Sequence, residues 1–229
     1  MLIVIPAHNE EATIKDVVSD LKMHGYNDIL IVDDASTDLT ASLAKQLNVK
    51  VMSLPYNVGA WKATQAGVRY AKKHGYSHIV TFDADKQHLA SQIQALTDCQ
   101  NNLSANLVIG SCPSRGSISR RIAWSVFRTL SSVKVQDLTS GFRLYDRKAI
   151  EALSKKEASL LEYQDVGVLL LLKAFKLSTV EVDVSMEDRM VGASRIFYSW
   201  LAVSYYMAYT TTLCLSKVFK TQTIFSDND

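Results

Sequence analysis
Over its first 110 residues the chain alternates short apolar runs with stretches of helical periodicity. That alternation restricts the fold more than any other feature. Residues 2–6, 28–32, 49–54, 79–82 and 107–110 are strand-sized apolar runs. Between the first two, Ala12, Ile14, Val17, Val18 and Leu21 recur at helical spacing within residues 10–24. Leu39, Leu43 and Leu47 form a second stripe, opened by Ser36 or Thr37. Residues 59–73 and 89–101 read as helices as well. Strands alternating with helices of this length predict parallel βαβ units, and hence an α/β fold with a mostly parallel sheet flanked by helices.

After Ser111 the pattern changes. Residues 112–119 hold Gly, Pro and several Ser and read as a loop. Residues 118–133 read as a helix carrying Arg120, Arg121 and Arg128, whose plainer role is on a solvated face. Residues 138–145 read as a turn and then a strand, 160–175 as an apolar helix, 177–185 as a strand and 200–219 as a last helix. A length of 229 residues fits one α/β domain with an appendage. The net charge of +2 is too small to argue for nucleic acid. Cys99, Cys112 and Cys214 are odd in number and far apart, so they make neither a disulfide framework nor a zinc pattern. A reducing cytoplasm is the simplest setting. Residues 1–6 lack a basic start and a long apolar core, and read as the first strand rather than a signal peptide. No run is long and apolar enough for a firm transmembrane helix.

Acidic residues collect where the predicted strands end. Asp83-Ala84-Asp85 follows residues 79–82, and Asp33-Asp34 follows residues 28–32. Ligands bind at the carboxyl ends of strands in open α/β sheets. Side chains two residues apart share a side, so Asp83 and Asp85 would face one ligand while Ala84 turns away. Hard divalent cations take such oxygen ligands and bridge to substrate phosphates. The plainer alternative is an acidic loop with a helix cap. Gln87 and His88 are candidates for a phosphate or a sugar hydroxyl, or for a solvated helix entry. Glu10, in Pro6-Ala7-His8-Asn9-Glu10, would accept from a base or ribose donor, or else sit in the favourable first turn of a helix capped by Asn9. Asp33 and Asp34 suit a ribose hydroxyl, with Ser36, Thr37 and Asp38 as caps. The glycine-rich dinucleotide and P-loop fingerprints are absent.

Read together, residues 3–11, residues 32–38, Asn57-Val58-Gly59 and residues 82–85 resemble, in order, the motifs of family 2 glycosyltransferases. That resemblance implies the GT-A fold, a Rossmann-like nucleotide-sugar-binding sheet. It implies inverting transfer of a sugar from a nucleotide diphosphate donor, with Mg²⁺ or Mn²⁺ on the diphosphate. Pro6, His8, Glu10 and Asp34 would line the nucleoside pocket, with Asp33, Asp83, Ala84, Asp85, Gln87 and Arg115 completing the donor site. Asp83 and Asp85 would hold the metal. His8 stands where many members carry Tyr. Lys86 stands where the polyprenyl-phosphate subgroup often has Gly, and would add a positive charge beside the diphosphate. The expected division is residues 1–195 as the transferase domain, 1–110 binding the donor and 111–195 the acceptor. Residues 196–220 would form an amphipathic helical segment and 221–229 a tail.

The second half is similar to the polyprenyl-phosphate branch of that family. Asp137-Leu138-Thr139-Ser140-Gly141-Phe142-Arg143 and Arg189 through Arg195 carry the likeness. It implies a polyprenyl (dolichyl-like) phosphate acceptor, bound by Arg143, Arg189, Ser194 and Arg195. Arginine presents a planar donor fork suited to phosphate oxygens. A phosphate monoester is already anionic near neutral pH, so Asp85, Arg143 and Asp137 would suffice as catalytic residues. A saccharide hydroxyl acceptor, in surface-polysaccharide or glycolipid assembly, would instead need a carboxylate base, from Asp137, Glu162 or Asp165. A non-catalytic nucleotide-sugar-binding protein is the alternative of another class. A nucleotidyltransferase would need a glycine-rich basic loop after the first strand, and residues 7–11 are acidic. Trp200, Tyr205, Tyr206, Tyr209 and Phe219, with Lys217 and Lys220, suit either a helix lying in a membrane interface on the cytoplasmic face or a packed terminal helix or homo-oligomer contact.

Overall fold
The structure, a computed structural model, describes residues 1–113, 124–125, 127–129, 133–187 and 200–215. Its centre is a seven-stranded sheet. The strands are β1 (Leu2–Ala7), β2 (Ile29–Asp33), β3 (Lys50–Ser53), β4 (His78–Thr81), β5 (Leu107–Ser111), β6 (Arg143–Asp146) and β7 (Thr179–Asp183). They lie in the order β3-β2-β1-β4-β6-β5-β7. Only β6 runs antiparallel, wedged between β4 and β5. This is the mostly parallel α/β sheet that the alternation predicts.

The helices are α1 (Ile14–Met23), α2 (Thr40–Gln46), α3 (Ala60–Lys73), α4 (Ile93–Leu103), α5 (Arg147–Leu153), α6 (Val166–Ala174) and α7 (Trp200–Leu215). Strand alternation sends Leu2 and Val4 of β1 to one face, packed with Trp61 and Val68 of α3. It sends Ile3 and Ile5 to the other, packed with Val17 and Leu21 of α1 and Ile93 of α4. Both faces are therefore covered, as a parallel sheet requires. Polar groups inside the first layer are satisfied. Trp61 Nε1 donates to the Ala158 carbonyl at 2.9 Å, and Gln65 Nε2 to the Leu153 carbonyl at 3.0 Å.

Several boundaries differ from expectation. The helix expected over 160–175 begins only at Val166, after a 3₁₀ turn at Lys156–Leu160. Residues 161–165 instead run as connecting chain, tied to neighbours on both sides. Helix α5 escaped the sequence reading, although Asp146 caps it by accepting from the Ala149 N–H at 2.8 Å. The expected helix over 118–133 lies largely outside the described residues, but Trp124 and Phe127 are helical and buried.

The terminal segment was expected to be amphipathic. Among the described side chains of α7, Tyr206 is buried while Tyr205 stays exposed. Tyr206 donates to Asp165 at 2.8 Å, Tyr205 to Glu162 at 3.0 Å and Tyr209 to the Leu160 carbonyl at 3.5 Å. These bonds fasten α7 to residues 160–165. No helix among the described residues is long and apolar enough to cross a membrane.

Candidate active site
The carboxyl ends of β1, β2 and β4 come together on one edge of the sheet, in register through the Ala7–Asp33 pair. Each of the loops that follow carries a non-glycine residue in left-handed backbone: Asn9 (φ 54°), Ala35 (φ 53°) and Lys86 (φ 64°). That conformation costs an L-residue roughly 1–2 kcal/mol. Such strain persists only where the surroundings over-determine it.

The first two loops are zipped to each other. Asn9 N–H donates to Ser36 Oγ at 3.0 Å, and Thr37 N–H returns to Asn9 Oδ1 at 2.8 Å. Glu10 N–H donates to Thr40 Oγ1 and Glu11 N–H to Asp38 Oδ2. Asn9 therefore bridges loops and does not cap α1, whose amino end receives no side-chain cap. His8 donates from Nδ1 to the Asp34 carbonyl at 2.7 Å, which fixes its ring against the second loop. Pro6 is half-buried at the end of β1. The Glu10 carboxylate accepts from Thr13 at 3.3 Å.

Asp33 and Asp34 are 3% and 2% exposed. Asp33 Oδ1 accepts from the Ser36 N–H at 3.2 Å. Asp34 Oδ1 accepts from Val58 N–H at 2.7 Å, and Oδ2 from Gly59 N–H at 2.9 Å. The Asp34 carboxylate thus shapes the 57–59 turn. Gly59 sits there with φ 89°, a conformation that glycine adopts without strain.

After β4 the arrangement is different. Ala84 is buried in the core, so its side chain only packs, while the Asp83 side chain keeps 39% exposure. Asp85 is 5% exposed, and its Oδ1 accepts from the Gln87 N–H at 3.1 Å. This tight turn puts Lys86 at positive φ, which explains why a glycine would suit that position. Lys86 does not supply charge at the strand end. Its Nζ pairs with Asp16 of α1 at 2.8 Å, and that hydrogen bond raises the pKa of the ammonium.

The motif containing Gly141 closes the other side of Asp83. β6 lies beside β4 with Arg143 opposite Thr81, and Thr81 Oγ1 donates to the Gly141 carbonyl at 2.6 Å. A methyl group on Gly141 would lie 2.8 Å from Asp83 Oδ1 and 2.9 Å from Oδ2. Only glycine lets the carboxylate lie this close to the backbone. The 85–88 loop is tied in turn to the chain after β7. Glu187 N–H donates to the Gln87 carbonyl at 2.9 Å, and His88 bridges with Met186.

Two expected catalytic residues sit elsewhere. Arg143 is fully buried, and its guanidinium donates to the carbonyls of Ser140 (2.7 Å), Gln164 (2.8 Å) and Leu138 (3.0 Å). It clamps the 138–140 turn to residues 161–165 and offers no open fork to a phosphate. Asp137 is 1% exposed. It accepts from Thr139 N–H at 3.2 Å and Cys112 N–H at 3.4 Å, which makes it a turn-holding residue. His88 is 2% exposed, so it does not line the ligand side. Arg115, Arg189, Ser194 and Arg195 lie outside the described residues. A groove of about 740 Å³ runs along α3, lined by Leu54, Tyr56, Lys62, Arg69 and Tyr70, away from Asp83.

Two carboxylates fit a divalent ion that arrives with a diphosphate. Mg²⁺-type ions are held by one or two carboxylates plus substrate phosphates, not by all-protein cages. Among the described residues no group of three or more His, Cys, Asp or Glu is placed to hold a metal ion.

This sheet, with its acidic turn after β4, is a GT-A scaffold. The solved structure of glucosyl-3-phosphoglycerate synthase from Mycobacterium tuberculosis superposes with a TM-score of 0.71 at 19% identity, over 93% of this chain and 79% of that one. The same enzyme in complex with Mn²⁺, UDP and phosphoglyceric acid gives 0.68 at 20% identity, over 93% and 78%. The family described as Glycosyl transferase family 2 matches residues 2–154. The chain belongs to that family and is a glycosyltransferase. It is 30% identical over 209 residues to the UDP-N-acetylglucosamine–dolichyl-phosphate N-acetylglucosaminyltransferase of Methanococcus voltae, covering 80% of this chain and 83% of that protein. It is 29% identical to the polyprenol monophosphomannose synthase of Mycolicibacterium smegmatis, covering 85% and 80%.

Proposed function
We propose that the chain transfers a sugar, with inversion, from a nucleotide diphosphate sugar to a polyprenyl phosphate. The observation that carries this reading is the Asp83-Ala84-Asp85 turn, backed by Gly141, at the carboxyl end of β4. Relatives named for dolichyl-phosphate and polyprenol substrates, aligned over most of their length, support the acceptor. A bound Mg²⁺ or Mn²⁺, held by Asp83 and Asp85, would neutralise charge developing on the departing diphosphate. The loops after β1 and β2, with Pro6, His8, Glu10 and Asp33, would face the nucleoside, and Asp34 would act by shaping the 57–59 turn.

The state of the candidate bases favours a phosphate acceptor over a saccharide hydroxyl. Asp165 is 5% exposed and accepts from Tyr206, Asp137 is enclosed, and Glu162 accepts from Tyr205. A phosphate monoester nucleophile is already anionic and needs little help from a base. Arg189, Ser194 and Arg195 would bind that phosphate. The chain after β7 reaches the acidic turn at Glu187, whose N–H donates to the Gln87 carbonyl. Such an enzyme would act at the cytoplasmic face of a membrane as a peripheral protein.

Radiolabelled UDP- and GDP-sugars supplied with polyprenyl phosphate, or with a saccharide acceptor, test the reading. Label partitioning into organic solvent only with the lipid phosphate is expected. Transfer to the saccharide alone overturns it.

A further inference from the structure
We infer that His88 is a positioning residue that sets the Asp83 carboxylate for the divalent ion, which deepens the metal reading above and rests on it. Asp83 N–H donates to His88 Nδ1 at 2.9 Å. A backbone N–H only donates, so Nδ1 accepts and the ring carries its proton on Nε2. That Nε2 lies 3.4 Å from Asp83 Oδ2. One imidazole therefore accepts from the backbone of Asp83 and sets Nε2 within electrostatic reach of the same residue's carboxylate, without a hydrogen bond to it.

The ring has no freedom to do otherwise. It stacks on Phe142 with centroids 4.9 Å apart and planes at 22°, and meets Phe82 edge-on at 5.3 Å. Its side chain has no exposure, so it touches neither solvent nor substrate. Phe142 directly follows Gly141, whose bare Cα forms the other wall of Asp83. The Gly141-Phe142 pair thus holds Asp83 twice, once by contact and once through the His88 ring. Groups that orient a metal ligand from behind change metal affinity about ten- to a hundred-fold when removed.

The roles of the two nitrogens can be separated by substitution. In His88→Asn, Oδ1 replaces the Nδ1 acceptor, and the donor toward Oδ2 is lost. In His88→Gln, the amide reaches the Nε2 position as a donor, and the acceptor is lost. Mn²⁺ titrations followed by electron paramagnetic resonance, with UDP and with GDP present, read the ion directly without turnover. His88→Asn should bind Mn²⁺ about ten-fold more weakly while its metal-free melting temperature stays within about 2 °C of wild type. His88→Gln should recover part of the affinity lost in His88→Asn. Wild-type Mn²⁺ affinity in His88→Asn overturns the inference. A loss of affinity that appears only together with a collapsed metal-free melting transition overturns it too, because the role would then be packing. The parent reading fails differently: Mn²⁺ binding unchanged in Asp83→Asn and Asp85→Asn removes the ion from this turn whatever His88 does.

Discussion

The loops after β2 and β4 both begin with paired acids at the same edge of one sheet, yet they are built for different work. After β2, Asp34 gives both carboxylate oxygens to backbone N–H groups of Val58 and Gly59 and is almost fully buried. After β4, Asp83 keeps 39% of its side chain exposed and rests between Gly141 and His88. A carboxylate saturated by local donors shapes a loop, whereas one oriented from behind keeps oxygens for a ligand. Acidity at a strand end therefore does not distinguish architecture from chemistry. Its hydrogen-bond partners do.

The contrast is open to direct attack. Asp85→Ala should lower transfer more than about a hundred-fold in a protein that still folds, with a stability loss of no more than about 1–3 kcal/mol from the Gln87 N–H left without its acceptor, as read by labelled-donor assays beside thermal melts. Near-normal turnover at saturating donor and metal would erase the distinction between the two loops. Gly141→Ala should come next. Its methyl would press on the Asp83 oxygens at 2.8 and 2.9 Å, so turnover and Mn²⁺ affinity should fall about ten-fold while stability changes little.

Asp34→Asn should behave in the opposite sense. An amide NH₂ would face a backbone N–H, leaving a buried donor without its acceptor and costing about 1–3 kcal/mol in denaturant melts. Arg143→Lys should also register as stability. It replaces a three-carbonyl clamp with one ammonium, at a similar cost of about 1–3 kcal/mol. A large loss of transfer with an intact fold would return Arg143 to the acceptor site.

The smallest effect lies at the far end of the sheet. Burial raises the Asp28 carboxyl, but hydrogen bonds from Lys50 and Tyr76 outweigh it, and the net shift is downward. A lowered folded-state pKa gives stability that is present above the unfolded pKa and lost as pH falls through the folded one. The melting-temperature advantage of wild type over Asp28→Asn should therefore begin to fall below about pH 4 and vanish only once the pH drops below the lowered folded-state value. It should be small at neutral pH, since Lys50 and Asp28 keep 44% and 38% of their side-chain exposure.

Periodicity was sufficient for the five parallel strands of the first half, because apolar runs and amphipathic stripes are local signals. The same holds for Asp83 and Asp85, whose spacing and place after a strand are written in the chain. Helix α5 went unread because half of its buried positions, Ala149 and Ala152, are alanines that mark no apolar stripe. Lys86 was misplaced because its partner Asp16 lies on another helix.

What the sequence by itself determined is the α/β order, the family, and the acidic turn after β4. Only the tertiary structure decided which polar residues remain for a ligand. Arg143 and Asp137 read as chemistry in the chain, but folding against the end of β5 and residues 161–165 directs their side-chain polar atoms to neighbouring backbone. His88 read as a phosphate or sugar contact or as a solvated helix entry, and the approach of β6 to β4 made it the support of Asp83. Hydrogen-bond capacity is finite, and contacts between residues distant in sequence determine how it is divided.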